Sequence, residues 1–238
     1  MKNPLKIITK KQIAALAVIP LVALSINAQA AVLIDFSNAT AAGAGADSNG
    51  NYWTTVGTAG QQGNAADLSV TNLIDSTNTA TTIDLNVDFS STDRNGWGGN
   101  GINGPLGSDP FDQSFAVIDG IYSSTTAGLV TLTFSDLDAN TKYNLSLIGG
   151  RASTGTNGVI DITTGTGSGG ILRNDGTQLD LSIFSDGTGE IAFTFVDTNG
   201  TVSDSTTFNA MSIALPEPSS TALLGLGLSS LLLRRRRS

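Results

Sequence analysis

Ile83-Asp84-Leu85-Asn86-Val87-Asp88-Phe89 alternates apolar and polar residues without a break. Successive side chains of a strand point to opposite faces, so Ile83, Leu85, Val87 and Phe89 share one face and the three polar residues take the other. Such a strand buries one side against a second layer and leaves the other in water. Outward from it, further strand runs occupy 32–36, 68–73, 115–118, 129–134, 142–148, 159–163, 179–184, 191–196 and 208–214. Asn157-Gly158, Asp175-Gly176, Asp186-Gly187 and Asn199-Gly200 fall between runs and supply residues that tolerate the positive φ of tight turns. No long segment holds a helical period, and Glu and Lys are scarce. This spacing predicts an all-β domain, an antiparallel two-sheet sandwich of jelly-roll type, rather than βαβ units. The Thr/Gly/Ser-rich stretch 155–170 reads as a flexible surface loop or a weak strand pair, and no longer internal repeat supports a solenoid.

Both ends of the 238-residue chain differ from this body. Lys2, Lys6, Lys10 and Lys11 precede a nearly continuous apolar run at 13–26, followed by Ala28-Gln29-Ala30. A basic segment, a short apolar core and small residues at the A-x-A positions make a secretory signal peptide cleaved after Ala30, the alternative being a permanent anchor helix. At the other end stand Pro216-Glu217-Pro218, an apolar run at 221–233, and Arg234-Arg235-Arg236-Arg237 before Ser238. Four arginines after an apolar run stay on the cytoplasmic side of a membrane and act as a stop. As a helix, 219–233 extends about 22 Å, short of a hydrocarbon core of about 30 Å, and Gly225 and Gly227 weaken it further. The expected division is therefore a signal peptide at 1–30, a sandwich domain at 31–214 and a sorting or anchor segment at 215–238.

In this order, the Pro-Glu-Pro motif, the short apolar helix and the basic terminus resemble the PEP-CTERM sorting signal of Gram-negative bacteria. The resemblance implies a membrane-embedded exosortase as processing partner, with removal of the tail near Pro216, Glu217 and Pro218. It also implies transient inner-membrane anchoring, then delivery to the cell surface or extracellular matrix. A permanent single-pass anchor is the other reading of the same residues. A second, looser resemblance lies in the body. Residues 132–145, Gly149-Gly150-Arg151, Gly189-Glu190-Ile191 and 208–213 are similar to a pattern of exported PEP-CTERM proteins in which a strand ends in a GLDPN-type turn and the next opens with tyrosine. Ser135 and Ala139 stand where that pattern prefers glycine and proline. It implies a galactose-binding-like jelly roll, and carries over no binding residue.

Composition narrows the function. Between Ala31 and Leu215, 18 aspartates and Glu190 face only Arg94, Lys142, Arg151 and Arg173, a net charge of −15. Such a domain repels nucleic acid and anionic membrane surfaces, while cations, neutral glycans and basic partners remain open to it. The chain has no cysteine and no histidine. Disulfides, thiolate metal sites, imidazole ligands and Ser-His-Asp catalysis are thereby excluded.

A few residues carry candidate chemistry. Asp136, Asp138 and Asn140 have the D-x-D-x-N spacing of a calcium loop, although the glycine and bidentate glutamate of an EF-hand are missing; the plainer account is a turn bonded to nearby amides. No cofactor is expected from this composition, and calcium is the one ion it would admit. Trp97, in the glycine-rich 94–105, and Trp53 beside Tyr52 could each stack on a sugar face, or close one end of the core. No pair among the 18 aspartates is marked for glycoside hydrolysis. The sequence thus predicts an exported, non-enzymatic surface or exopolysaccharide-matrix protein, with a calcium-dependent carbohydrate-binding module as the alternative and a glycoside hydrolase behind both.

Overall fold

The computed structural model describes residues 30–37, 46–57, 66–89, 95–98, 110–112, 119–123, 129–150, 157–197 and 206–216. The expected signal and tail helices, and the strand expected at 115–118, lie outside these residues. Among the described residues no helix is long and apolar enough to cross a membrane. Among the described residues thirteen strands run in chain order: β1 (Ala31–Phe36), β2 (Thr54–Val56), β3 (Leu68–Val70), β4 (Asp84–Phe89), β5 (Asn95–Gly98), β6 (Gly120–Ser123) and β7 (Val130–Ser135), followed by β8 (Lys142–Gly149), β9 (Gly158–Thr164), β10 (Gly170–Leu172), β11 (Leu179–Phe184), β12 (Ile191–Asp197) and β13 (Thr206–Ala214).

They form two sheets. One has the order β11-β8-β13-β1-β2, with β6 also paired to β13 and β5 to β6; the other has the order β10-β9-β12-β7-β4-β3. From β7 to β13 the chain crosses between sheets at nearly every step, the winding of a jelly roll. Every pair is antiparallel except β1–β2, which is parallel and departs from the antiparallel sandwich expected from the sequence. Parallel neighbours need a long connection, and 17 residues separate β1 from β2.

The core between the sheets is built from alternating positions. Leu85, Val87 and Phe89 of β4 meet Val130, Leu132 and Phe134 of β7, while Leu145 and Leu147 of β8 and Met211 and Ile213 of β13 come from the facing sheet. Phe208 lies at the centre, its ring centroid 4.9 Å from Phe36 and 5.8 Å from Phe195. A smaller cluster of Leu33, Trp53, Phe111, Ile148 and Ala210 covers the opposite face of the β1–β13–β8 sheet. That sheet is therefore buried on both sides, which explains why Ala31 to Ile34 is a continuous apolar run.

Some local expectations change. Gly158 opens β9 and Gly187 has no positive φ; the positive values fall on Gly176 and Gly189. At Gly189 the left-handed backbone (φ 82) brings the chain against the Leu137 carbonyl, which leaves no room for a Cβ. Stretch 155–170 follows its strand-pair reading and not the loop, since β9 pairs with β10 from Gly158↔Leu172 to Ile160↔Gly170. The 68–73 run keeps a strand only over β3, because Asn72 turns into the left-handed region (φ 54).

Candidate functional site

Strand β13 organises the features with functional potential. Its C-terminal half pairs with β1, from Ala31↔Ala214 to Asp35↔Ala210, and the N–H of Leu215 donates to the carbonyl of Ala30 at 2.9 Å. Ala30, the expected signal-cleavage residue, and Pro216, the first of the expected processing motif, thus leave the sandwich side by side. Ser76 fixes this end, its N–H donating to the Ala31 carbonyl at 2.7 Å. Ala28, Glu217, Pro218 and Arg234 to Arg237 lie outside the described residues.

On the covered outer face, Trp53 is only 8% exposed and packs edge-on against Phe111, with ring centroids 6.3 Å apart. Its indole Nε1 donates to Asp47 Oδ2 at 2.8 Å. Asp47 Oδ1 accepts the N–H groups of Asn49 and Asn51, and Asn49 Nδ2 donates to Asp112 Oδ1 at 3.0 Å. A polar loop thus clamps the segment carrying Phe111, and Trp53 fills the space beneath it. Tyr52 is half-buried next to it, its N–H donating to the carbonyl of Ser76. Trp97 belongs to β5, opposite Ile121 of β6, and its side chain lies outside the described residues. The structure therefore joins Trp53 and Tyr52 in one patch with Asp112 and with Asp47 and Asn49, two polar residues that sequence reasoning passed over. The D-x-N-x-N spacing of Asp47, Asn49 and Asn51 was the signal that marked them.

Asp136, Asp138 and Asn140 sit on an exposed turn held by its backbone. Asp136 and Asn140 have positive φ (59 and 54), the Asp138 N–H donates to Tyr143 Oη at 2.9 Å, and Ser185 Oγ donates to the Asp138 carbonyl at 2.6 Å. The Leu137 N–H reaches the Gly189 carbonyl and the Asn140 N–H the Asp186 carbonyl. The turn is locked to the 186–190 turn, with the Asp136 carbonyl taken by Thr82 Oγ1. Burial raises the Tyr143 phenol above its ordinary value, against the opposing Asp138 amide bond. Among the described residues no three acidic side chains gather as a metal cluster.

A second polar group was not foreseen. β1 and β6 both flank the same edge of β13, β1 beside its C-terminal half and β6 beside Thr206 to Phe208. Between them β13 carries a bulge, where the register with β8 shifts between Phe208 and Ala210. Phe208 and Met211 both face the main core, so the extra residue turns Asn209 and Ala210 outward together. Asn209 Nδ2 donates to the Asp119 carbonyl at 2.7 Å, and Ser37 Oγ to Asp119 Oδ2 at 3.0 Å. A Cβ on Gly120 would lie 2.9 Å from the Cα of Asn209, so only glycine allows β6 to start this close. Asp35 is 1% exposed and neither of its carboxylate oxygens has a hydrogen-bond partner; nor does Asn209 Oδ1. Burial first, and then the Asp119 charge, push the Asp35 carboxyl up to about 8.

The fold has partial likenesses among solved structures. A carbohydrate-binding module of family 36, in complex with calcium and xylotriose, is 18% identical over 45% of this chain and 85% of its own, with a TM-score of 0.29. A family two carbohydrate esterase from Cellvibrio japonicus is 9% identical over 56% of this chain and 34% of its own, with a TM-score of 0.27. The enzymatically active domain of tailspike protein 4 from Bacteriophage CBA120 is 12% identical over 55% of this chain and 18% of its own, with a TM-score of 0.30. No curated protein matches the chain. Residues 214–237 match the PEP-CTERM protein-sorting motif, and the match begins on the last residue of β13, so the chain is a β-sandwich that carries a PEP-CTERM sorting signal directly after its final strand.

Proposed function

We propose that this chain is an exported, non-enzymatic component of the cell surface or exopolysaccharide matrix, held briefly in the inner membrane by its tail and released by an exosortase-type enzyme. The observation that carries this reading is the Ala30–Leu215 hydrogen bond beside the Ala31↔Ala214 pair. Both expected cut points lie at one end of the sandwich and outside its strands, so processing can free the domain without dismantling it. The strong negative charge of the body fits a hydrated polysaccharide environment, where it opposes aggregation and nucleic-acid binding. Without histidine or cysteine the common nucleophile and base pairings are missing, which supports a binding or structural role.

A glycan-contacting role is supported by the outer patch. Asp47, Asn49 and Asp112 present planar carboxylates and an amide suited to bonding sugar hydroxyls, and Tyr52 adds half of an aromatic face. The buried Trp53 anchors that patch, while Trp97 is the tryptophan assigned to direct contact. Calorimetric titration of the purified protein with the host's extracellular polysaccharide tests this. The reading predicts saturable binding that Trp97→Ala weakens about tenfold or more. Absence of binding would leave a structural component, and hydrolysis of the glycan would replace the proposal with an enzyme.

A further inference from the structure

The cover over the outer face of the β1–β13–β8 sheet stops at Leu33, Ile148 and Ala210, beneath Trp53 and Phe111. Strand pairing sets the residues beyond it in rows that run across β13, β8 and β11. The first row is Ser212, Ser146 and Asp180, and the second Ala214, Asn144 and Ser182. Lys142 and Phe184 stand opposite each other in the next. Asn144, Asp180, Ser182 and Lys142 are exposed, and Ser146, Ser212 and Ala214 are half-buried. At about 3.3 Å per residue and about 4.8 Å between strands, the open area extends about 13 Å along β8 and about 10 Å across it.

The polar side chains of this shelf hold one another in place. Ser146 Oγ donates to Asp180 Oδ1 at 2.6 Å, Gln178 Nε2 donates to the same oxygen at 2.7 Å, and Ser182 Oγ donates to Asn144 Oδ1 at 2.8 Å. Bonds between two side chains are a minor class in proteins, and on an exposed face water competes for each of them. Gathered here, they fix the groups in advance, so a ligand that meets them removes little further side-chain freedom. They also decide what is left to offer. With its Oδ1 taken, Asn144 keeps Nδ2 as a donor, and Asp180 keeps Oδ2 as an acceptor; no bond among the described residues uses either atom.

Phe184 is an independent pointer. Its ring is 46% exposed on this same face, whereas every other described phenylalanine is buried. The chemistry of an occupant follows from the whole set. Lys142 and Asp180 give the shelf one charge of each sign, so it has no net charge to draw an ion or a strongly charged partner. One ring without an apolar surround is too little for a protein or an amphipathic helix to bury. Hydroxyls, an amide and a carboxylate beside a bare ring match sugars, whose hydroxyls bond to planar polar groups and whose C–H faces lie against aromatic rings. The net charge of −15 between Ala31 and Leu215 turns anionic polysaccharides away.

We propose that the open outer face of β8, β11 and β13 is a binding shelf for a neutral, hydroxyl-rich polysaccharide chain, with Phe184 as its stacking platform and Asn144 and Asp180 as its polar contacts. The shelf rests on the glycan-contacting role proposed above and gives it a place on rigid strands, separate from Trp97.

The test is calorimetric titration of the purified protein with the host's extracellular polysaccharide, separated by anion exchange into neutral and acidic fractions. Saturable binding of the neutral fraction is expected, weakened about tenfold or more by Phe184→Ala and by Asn144→Ala, each at an unchanged Tm. Both side chains are exposed, and the backbone bonds of Phe184 to Thr166 survive its substitution. Ile171→Ala removes a side chain 50% exposed on β10 of the other sheet and should retain the affinity. Binding that survives both shelf variants and falls only in Trp97→Ala overturns the shelf and leaves the glycan-contacting role standing. Binding confined to the acidic fraction, or an equal loss in Ile171→Ala, likewise overturns the shelf. Absence of binding to either fraction overturns both.

Discussion

Tyr143 shows how much a single side chain can do for the body of this protein. It is the second residue of β8, buries its ring in the main core, and accepts the N–H of Asp138 through its hydroxyl at 2.9 Å. The bond crosses from the strand to the turn that precedes it, so the phenol sets both the core depth of β8 and the path of residues 136–141. Tyr143→Phe keeps the ring and removes the acceptor, leaving a partly buried amide without a partner. A loss of about 1 kcal/mol is expected, measured as a lower midpoint in urea with an unchanged slope. A change within experimental scatter would mean that water replaces the hydroxyl, and that the turn is held by Ser185 and Asp186 instead. The tyrosine itself was visible in the sequence as the residue that opens a strand after a polar turn. Its bond was not, because hydroxyl direction depends on how far the ring sinks into the core.

At the scale of elements, one device recurs in the turns. Asp47, Asp75 and Asp186 each accept main-chain N–H groups two and four residues ahead, and Asp175 accepts the one two ahead. These Asx-type bonds satisfy amides that no ladder reaches. For Asp75 burial acts upward, but the Thr77 hydroxyl and the Thr79 and Thr77 amides outweigh it and hold the carboxyl below its ordinary value. Thr177 does the same for Asp175, aided by Arg173, and the Glu190 amide and Thr188 do so for Asp186. A folded-state pKa below the unfolded one means stability that is complete above the unfolded value, about 3.9, and lost as the pH falls through the lowered folded value. Acid unfolding should therefore steepen below about pH 4, and Asp75→Asn should flatten that limb, as followed by circular dichroism. An unchanged limb would remove Asp75 from the acid response. The same scale explains what could be read in advance. β4 was plain because one of its faces is buried and the other wet. β1 shows no alternation over Ala31 to Ile34 because its sheet is covered on both sides. β2, β3, β5, β6 and β10 have three or four residues each, too few for a period to show, and four of them were not foreseen as strands. Asp35, Asp119 and Asn209 lie far apart in sequence and meet only through a bulge and a change of strand partner, neither of which leaves a local pattern.

For the whole molecule, the decisive relation is between the two ends of the domain. β1 is an interior strand, between β13 and β2, and β13 lies between β8 and β1. Trimming into either would expose a long unpaired edge and open the main core, so processing must stop at the margins of the sheet. The margins are narrow. β1 starts at Ala31 and β13 ends at Ala214, and beyond them one hydrogen bond, from Leu215 to Ala30, adds to the pairing. Cleavage after Ala30 and within Pro216 to Pro218 would keep every strand residue and lose only that terminal bond, together with the Ala30 carbonyl that accepts it. Intact masses of the protein from membrane and external fractions should therefore show one N-terminus at Ala31 in both, with the external species ending between Leu215 and Pro218. The released form should also unfold at nearly the same temperature as the form still carrying its tail, because it keeps every core residue of the described chain. An external species cut inside 206–214 would contradict the sheet order, since β13 pairs with three other strands. A membrane species that retains Arg234 to Arg237 with no shorter form outside would make the tail a permanent anchor, and the sandwich would then act at the membrane surface with both of its ends facing the bilayer.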